Sequence, residues 1–425
     1  MPQKPVSFTA LGGAQEVGRS AFIIDSGEQF LLEYGVKLTP DKAQYPLPVK
    51  TNLAAAIISH AHLDHSGNLP NLFNKSHIMT FLTPPTLELS KLLWFDSLKI
   101  ASMEGMDAQF SKEEIERTER YSFPVGYKKR LPVSQHSSME FFDAGHICGS
   151  AMTKLSLGSK ELLYTGDFKV DETRLHNGAD LKVGKVDYCI IEGTYGNRLH
   201  PERHHSEKHF VESVQETVDN GGWALIPAFA VGRSQEVVDI LNEYKLGVPV
   251  YLDGMCQKAA SILMKFPDYL KNPSFLKKAL DNVEWIKNDR MRAKAMKQPS
   301  VIVTTSGMIT GGPIMQYVKR MYKDKESKIF LTGYQVEGTP GRTLLETNKL
   351  PLKDVVLDVE MQVEKFDFSA HSDQKEMVYA LKRWSPEKII IVHGDKKIIA
   401  EFQGKLKEEG FDAVAAETGK TIKLH

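Results

Sequence analysis

Over residues 6–33 the chain reads as short apolar runs, VSFTALGG, AFIIDSG and QFLLEYG, cut by glycine and charged positions. That pattern predicts β-hairpins. The run from Ala54 to Ser59, AAAIIS, predicts a buried strand. Residues 84–118 predict helix, with Ser111 and Glu114 at the spacing of a capping box. Strands are expected again at 139–143, 151–157 and 161–165. From about residue 206 the rhythm changes. A helix over 206–219 ends at Gly221-Gly222, followed by a strand (223–227), a helix (233–244), a strand (248–253), further helices, a strand (301–306), a helix and a strand (328–333). Strands alternating with helices predict a parallel α/β sheet. A strand at 388–392 and a helix near 396–410 close the pattern. No repeat, low-complexity stretch or long linker separates the two rhythms, which favours an insertion over domains in series.

A chain of 425 residues is long for one domain, and two are expected. Hydrophobic residues make up 41% and charged residues 25%, the balance of a soluble globular protein. Lys+Arg and Asp+Glu both number 54, so there is no global basic field, and any contact with nucleic acid must come from a local basic cleft. No apolar run approaches the ~18–20 residues that span a bilayer, and Met1 to Pro5 lack an apolar signal core. Cys148, Cys189 and Cys256 have no paired spacing, which suggests a reducing, cytoplasmic setting without a disulfide framework.

Chemistry begins at His60-Ala61-His62-Leu63-Asp64-His65. Four metal-ligating side chains fall within six residues, directly after an apolar strand. His60 and His62 can face one ion while Asp64 and His65 face a second, and imidazole and carboxylate donors suit zinc. Further ligand types recur at strand ends beside glycine: Asp143-Ala144-Gly145-His146, Thr165-Gly166-Asp167 and Val392-His393-Gly394. Each alone reads equally well as a turn or a core histidine. Together they supply a full set for two ions, with a bridging carboxylate such as Asp167 needed to hold ions about 3.5–4 Å apart.

At these residues the sequence resembles a known family. His60 to His65 matches the HxHxDH signature of metallo-β-lactamase-fold hydrolases, and His146 and Asp167 match its next two metal motifs. The resemblance continues through Glu192-Gly193-Thr194-Tyr195-Gly196, Pro227 to Arg233, Ser306-Gly307-Met308, Gly333-Tyr334-Gln335, Gly338 to Arg342, Phe368 to Asp373 and Val392-His393-Gly394. This set is similar to the β-CASP subgroup, in particular to archaeal and bacterial relatives of the cleavage and polyadenylation specificity factor endonuclease. It implies an α/β fold: a metallo-β-lactamase αββα sandwich from 1–195 and 367–425, with a β-CASP domain of mostly parallel strands inserted at 196–366. The active site would lie in the cleft between the domains.

The same resemblance implies the roles. His60, His62 and His146 would bind the first zinc ion; Asp64, His65 and His393 would bind the second; Asp167 would bridge them. A bridging water would attack phosphorus, both ions would stabilise charge on the phosphate oxygens, His371 would protonate the leaving oxygen, and Glu192 would fix the tautomer of His371. The chain departs from the family at Leu32-Glu33-Tyr34-Gly35, where Glu33 stands in place of the usual Asp, which affects how the ligands are oriented from behind. Ser306-Gly307-Met308 reads as a backbone phosphate cradle or as a plain tight turn. Arg233 and Arg342 are candidates for the RNA backbone, or solvated surface charges. Cys148, two residues after His146, reads as packing.

The expected activity is a zinc-dependent ribonuclease, cutting single-stranded RNA internally to leave 3′-hydroxyl and 5′-phosphate ends. The alternatives are a 5′-3′ exoribonuclease, a DNA nuclease and a small-molecule hydrolase. The inserted domain and His371 argue against the last. The DNA-repair members of the group typically carry Val where this chain has His393. Non-catalytic scaffold members lose ligands, and this chain keeps them all. Only 32 residues follow His393 and no RNA-binding module precedes Val6, so selection is expected to rest on the cleft, which favours internal cutting. The partners expected are RNA and no membrane; a homodimer is one state the sequence allows.

Overall fold

The computed structural model describes residues 5–39, 42–74, 76–353 and 355–424. The reading of the N-terminus as lacking a signal core falls largely on residues 1–4, outside the described residues. The chain divides into two compact units, Met1–Leu199 with Ala370–His425, and His200–Ser369.

The first unit is built on two seven-stranded sheets. One runs Thr421–Leu424, Val6–Gly12, Ala21–Asp25, Gln29–Leu32, Ala55–Ile57, Thr80–Leu82, Ser122–Pro124. The other runs Ala413–Ala415, Lys388–Val392, Tyr188–Glu192, Lys160–Tyr164, Ala151–Leu157, Ser137–Asp143, Leu131–Pro132. Val6–Gly12 alternates buried and half-buried positions and pairs antiparallel with Ala21–Asp25, which pairs antiparallel with Gln29–Leu32, the expected hairpins. One apolar cluster joins Phe8, Phe22 and Phe30 of the first sheet to Phe141, Leu155 and Ile390 of the second, so the two sheets face each other. Behind the first, Trp94 and Ile115 pack on Leu31 and Ala56. Behind the second, Trp384 and Phe402 pack on Cys189 and Ile391. The result is four layers, helix, sheet, sheet, helix. Tyr188–Glu192 and Lys388–Val392 pair in parallel and are buried almost throughout, as strands covered on both faces must be.

The helix expected over 84–118 is two helices, Pro84–Glu104 and Lys112–Arg120. Gly105 takes a left-handed conformation (φ 67°) that ends the first, and the Ser111–Glu114 capping box starts the second. Among the described residues no helix is long and apolar enough to cross a membrane.

The second unit holds a six-stranded sheet in the order Glu284–Trp285, Val250–Asp253, Val301–Thr304, Ala224–Pro227, Lys328–Leu331, Gln362–Lys365. Every neighbouring pair in it is parallel. Arg203–Asp219 leads into the sheet, and helices such as Arg233–Tyr244 and Ile314–Met321 connect its strands.

Candidate functional site

In the first unit the candidate ligands sit where strands end. Ala55–Ile57 runs out into His60 and His62, and the one-turn helix Leu63–Ser66 carries Asp64 and His65. Ser137–Asp143 precedes His146, Lys160–Tyr164 precedes Asp167, and Lys388–Val392 precedes His393. Glycine is required at one of these turns: Gly166 has φ +55°, and a Cβ there would lie 2.7 Å from Cβ of Ser59. His393 itself takes φ 48° without being glycine.

These ends converge. His62 Nδ1 lies 3.2 Å from His60 Nε2 and 3.1 Å from His146 Nε2. Asp64 Oδ2 lies 3.2 Å from His393 Nε2 and 3.8 Å from His65 Nε2. Asp167 Oδ2 stands between the two groups, 3.3 Å from His65 Nε2, 3.7 Å from His60 Nε2 and 3.9 Å from His146 Nε2. All seven candidate ligands therefore meet at one place.

The donor set fits a metal. Tetrahedral zinc with bonds of 2.0–2.1 Å sets its ligand atoms about 3.4 Å apart, close to the separations just given. Among the described residues His65 Nε2 and Asp167 Oδ1 are buried without a hydrogen-bond partner, the first 3.3 Å from Asp167 Oδ2 and the second 3.2 Å from His393 Nδ1. Burial holds His60 and His146 well below the ordinary imidazole value and lowers His62, leaving neutral rings, the form that ligates. Burial opposes charge on Asp64 and Asp167 as well, but His65 and His393 outweigh it and hold both carboxyls below their usual range. The ring orientations are fixed from behind. His146 donates Nδ1–H to the carbonyl of Ala370 at 2.8 Å, and His60 Nδ1 lies 2.9 Å from Ser59 Oγ.

Glu33 occupies that outer layer. Fully buried, it accepts the backbone N–H of Ser59 at 3.0 Å, and its Oε1 faces His65 Nδ1 at 3.8 Å. The longer carboxylate thus still reaches the segment that carries the ligands. Cys148 is buried, and burial pushes its thiol up, so it packs as a neutral group.

Beside the ligands, His371 places Nδ1 2.9 and 3.0 Å from the two oxygens of Glu192, at the end of Tyr188–Glu192. Burial alone would depress His371, but Glu192 and Asp167 lift it to about 9. The segment bearing His371 is strapped to the one bearing Asp167. Ser372 N–H donates to the carbonyl of Phe168 (2.7 Å), Val170 N–H to Ser372 Oγ (3.0 Å), and Phe168 N–H to Glu192 (2.9 Å). Lys169 and Glu376 form a buried ion pair (2.6 Å), and Glu376 also accepts the N–H groups of Asp171 and Asp373. Sequence reasoning missed Lys169 and Glu376. The readable signal was the Asp373–Glu376 capping box that starts Gln374–Trp384.

The remaining candidates lie in the second unit, where the carboxyl ends of Ala224–Pro227 and Val301–Thr304 are level. Ser306 Oγ accepts the N–H of Thr310 at 2.9 Å. Gly307 lies so close to Phe229 that a Cβ would meet its backbone nitrogen at 2.9 Å. Gln335 Nε2 donates to the carbonyl of Gly307 at 3.0 Å, and Gly341 N–H to that of Met308 at 2.9 Å, gathering three of the sequence motifs at one end of the sheet. Arg233 is buried and pairs with Glu236, which also holds Arg203, whereas Arg342 is half-buried and pairs with Glu346.

Residues 234–344 match the family model described as the Beta-Casp domain, and residues 356–416 match the one described as the Zn-dependent metallo-hydrolase RNA specificity domain. The chain is 38% identical to a Methanocaldococcus jannaschii protein named probable RNase MJ4, across 97% of this chain and 99% of that protein. It is 34% identical to transcription termination factor FttA of Methanosarcina mazei, across 99% of this chain and 72% of that protein. A crystal structure of a protein of unknown function from Enterococcus faecalis aligns with a TM-score of 0.63 over 99% of this chain and 100% of that one. At 13% identity that likeness is one of fold alone.

Proposed function

This chain belongs to the β-CASP group of metallo-β-lactamase-fold ribonucleases, and from that premise we propose that it uses two zinc ions to cut single-stranded RNA internally, leaving 3′-hydroxyl and 5′-phosphate ends. A metal-dependent hydrolase acting on RNA follows from the family itself. The observation that carries the finer reading is the meeting of seven ligand side chains with the His371–Glu192 pair beside Asp167.

Bound zinc supplies a water of lowered pKa as nucleophile and positive charge for the phosphate oxygens. The chain's own residues do the rest. His60, His62 and His146 form one ligand group and Asp64, His65 and His393 the other, with Asp167 shared between them. Glu192 accepts Nδ1–H of His371 and so fixes its tautomer. In the imidazolium form the second ring proton sits on Nε2, where it can pass to the departing 3′-oxygen. Because water attacks phosphorus and the 3′-oxygen leaves, the phosphate stays on the 5′ side of the downstream product. The three buried, free thiols support a reducing, cytoplasmic setting.

Internal cutting is favoured over 5′ degradation because the groups suited to gripping a terminal monophosphate are engaged elsewhere. The backbone N–H of Ser306 is given to the carbonyl of Gly311 at 3.2 Å, and Arg233 is buried against Glu236. The 5′-3′ exonuclease reading draws on Gly307, whose bare backbone stands at the carboxyl end of the parallel sheet, where such folds bind ligands. A circular RNA distinguishes them. The circle is cut under the proposal. Survival of the circle, while a linear 5′-monophosphate RNA of the same sequence is degraded to mononucleotides, refutes internal cutting.

A further inference from the structure

Residues 255–297 hold ten Lys and Arg against four Asp and Glu, a surplus of six in a chain whose total charge is zero. Several of these cations are neutralised by neighbours: Lys277 by Asp281, Lys294 by Glu284, and Arg292 by Asp253. Lys258, Lys287 and Arg290 are exposed and make no ion pair among the described residues.

The fold brings these three to one rim. Strand Val250–Asp253 ends level with Val301–Thr304, since Asp253 pairs with Thr304, and the edge strand Glu284–Trp285 lies parallel beside Tyr251 and Leu252. Gln257 Nε2 donates to the carbonyls of Leu252 (2.6 Å) and Ile286 (2.9 Å), which seats Lys287 beside the first turn of the helix carrying Lys258. Arg292 donates to both oxygens of Asp253 at 2.7 and 3.0 Å, which seats the helix Asp289–Ala295, with Arg290, against the same strand end. Tyr317 donates to Asp253 as well (2.8 Å), so the anchor is rigid while the three cations stay outside it. Pro227 also pairs with Thr304, so Ser306, Gly307 and Arg233 follow strands whose ends are level with this rim.

Resting on the RNA reading above, we propose that Lys258, Lys287 and Arg290 form a track for the RNA backbone, extending the substrate contact along the carboxyl rim of the inserted sheet. Ammonium and guanidinium groups held on a rigid edge neutralise successive phosphates without reading bases. The track therefore serves RNA length rather than sequence, and it acts on binding and not on the chemical step.

The test uses the zinc-loaded enzyme and a triple variant, Lys258→Ala, Lys287→Ala, Arg290→Ala. An RNA of about 30 nucleotides and one of about six are cleaved over a range of KCl. Loss of three phosphate contacts should flatten the log–log salt dependence of kcat/KM for the long RNA by about 2, and lower that parameter roughly 10- to 100-fold at low salt. The kcat and the cleavage of the short RNA should not change. Equal effects on both lengths, or an unchanged salt slope, overturn the track. Loss of binding to phosphatidylserine vesicles with RNA cleavage unaltered would assign the rim to anionic lipid and also overturn it. Anisotropy of the labelled long RNA on the His371→Ala background reads the same slope without cleavage. A chain that binds RNA with that slope but never cuts it leaves the track standing while the nuclease reading falls.

Discussion

His371 gives its Nδ1–H to Glu192, and the same carboxylate receives the backbone N–H of Phe168, the residue after Asp167. One side chain thus sets His371, the proposed proton donor, and Asp167, the proposed shared ligand, relative to each other. His371→Ala should lower kcat by roughly 10²-fold or more with metal content unchanged, the usual scale for a general acid. Full activity across the pH range would remove His371 from that role.

The pH dependence has a definite sign. Glu192 and Asp167 raise His371 to about 9 against the effect of burial, so the acid form persists through neutrality and the rate falls on the alkaline side. Glu192→Gln removes a negative charge beside the ring. The alkaline limb of kcat should then move to lower pH, and an immobile limb would mean that another group titrates.

Metal should be found at two ions per chain. Chelation should abolish cleavage, and His393→Ala should reduce the content to about one while sparing the site of His60, His62 and His146. Elemental analysis showing under one transition-metal ion per chain in fully active protein excludes the two-ion arrangement.

Glu33 is fully buried with its carboxylate on Ser59 N–H and near His65. Glu33→Gln keeps the length and removes the charge facing His65, and Glu33→Ala removes the acceptor too. Zinc affinity, measured by competition with a chromogenic chelator, should fall in that order, by about 10- to 100-fold for the alanine. Equal affinity in all three proteins would make Glu33 a packing residue.

The Lys169–Glu376 pair is a stability element. Glu376→Ala leaves Lys169 buried without its partner and strips acceptors from Asp171 and Asp373, with an expected loss of about 3–5 kcal/mol in denaturant unfolding. Replacing both residues with Met should recover part of that loss, because no isolated charge remains. Equal destabilisation by the single and double changes would show that the two residues are not coupled.

Much of this was legible in the sequence, for physical reasons that differ by residue. His60 to His65 stood out because four ligand side chains within six residues after an apolar strand have little other use. The alternation of strand and helix from residue 206 onward marked the parallel sheet. Other features depend on chain segments far apart and leave no local trace. Lys169 and Glu376 lie 207 positions apart, so neither residue signals the pair. The break at Gly105 was missed because helical composition continues on both sides of it. Arg233 reads as a surface cation, yet the start of its helix buries it against Glu236, which only the packing reveals.

The parallel pairing of Tyr188–Glu192 with Lys388–Val392 also bears on when the nuclease comes into being. During synthesis the whole inserted unit is translated between these two strands, and Val6–Gly12 likewise waits for its partner Thr421–Leu424. Contacts so distant in sequence form late, after the long loop between them has been shortened by folding of the inserted unit. His393 follows the later of the paired strands. The full set of candidate ligands therefore comes together only after the inserted unit has been made and the strand that follows it has found its partner.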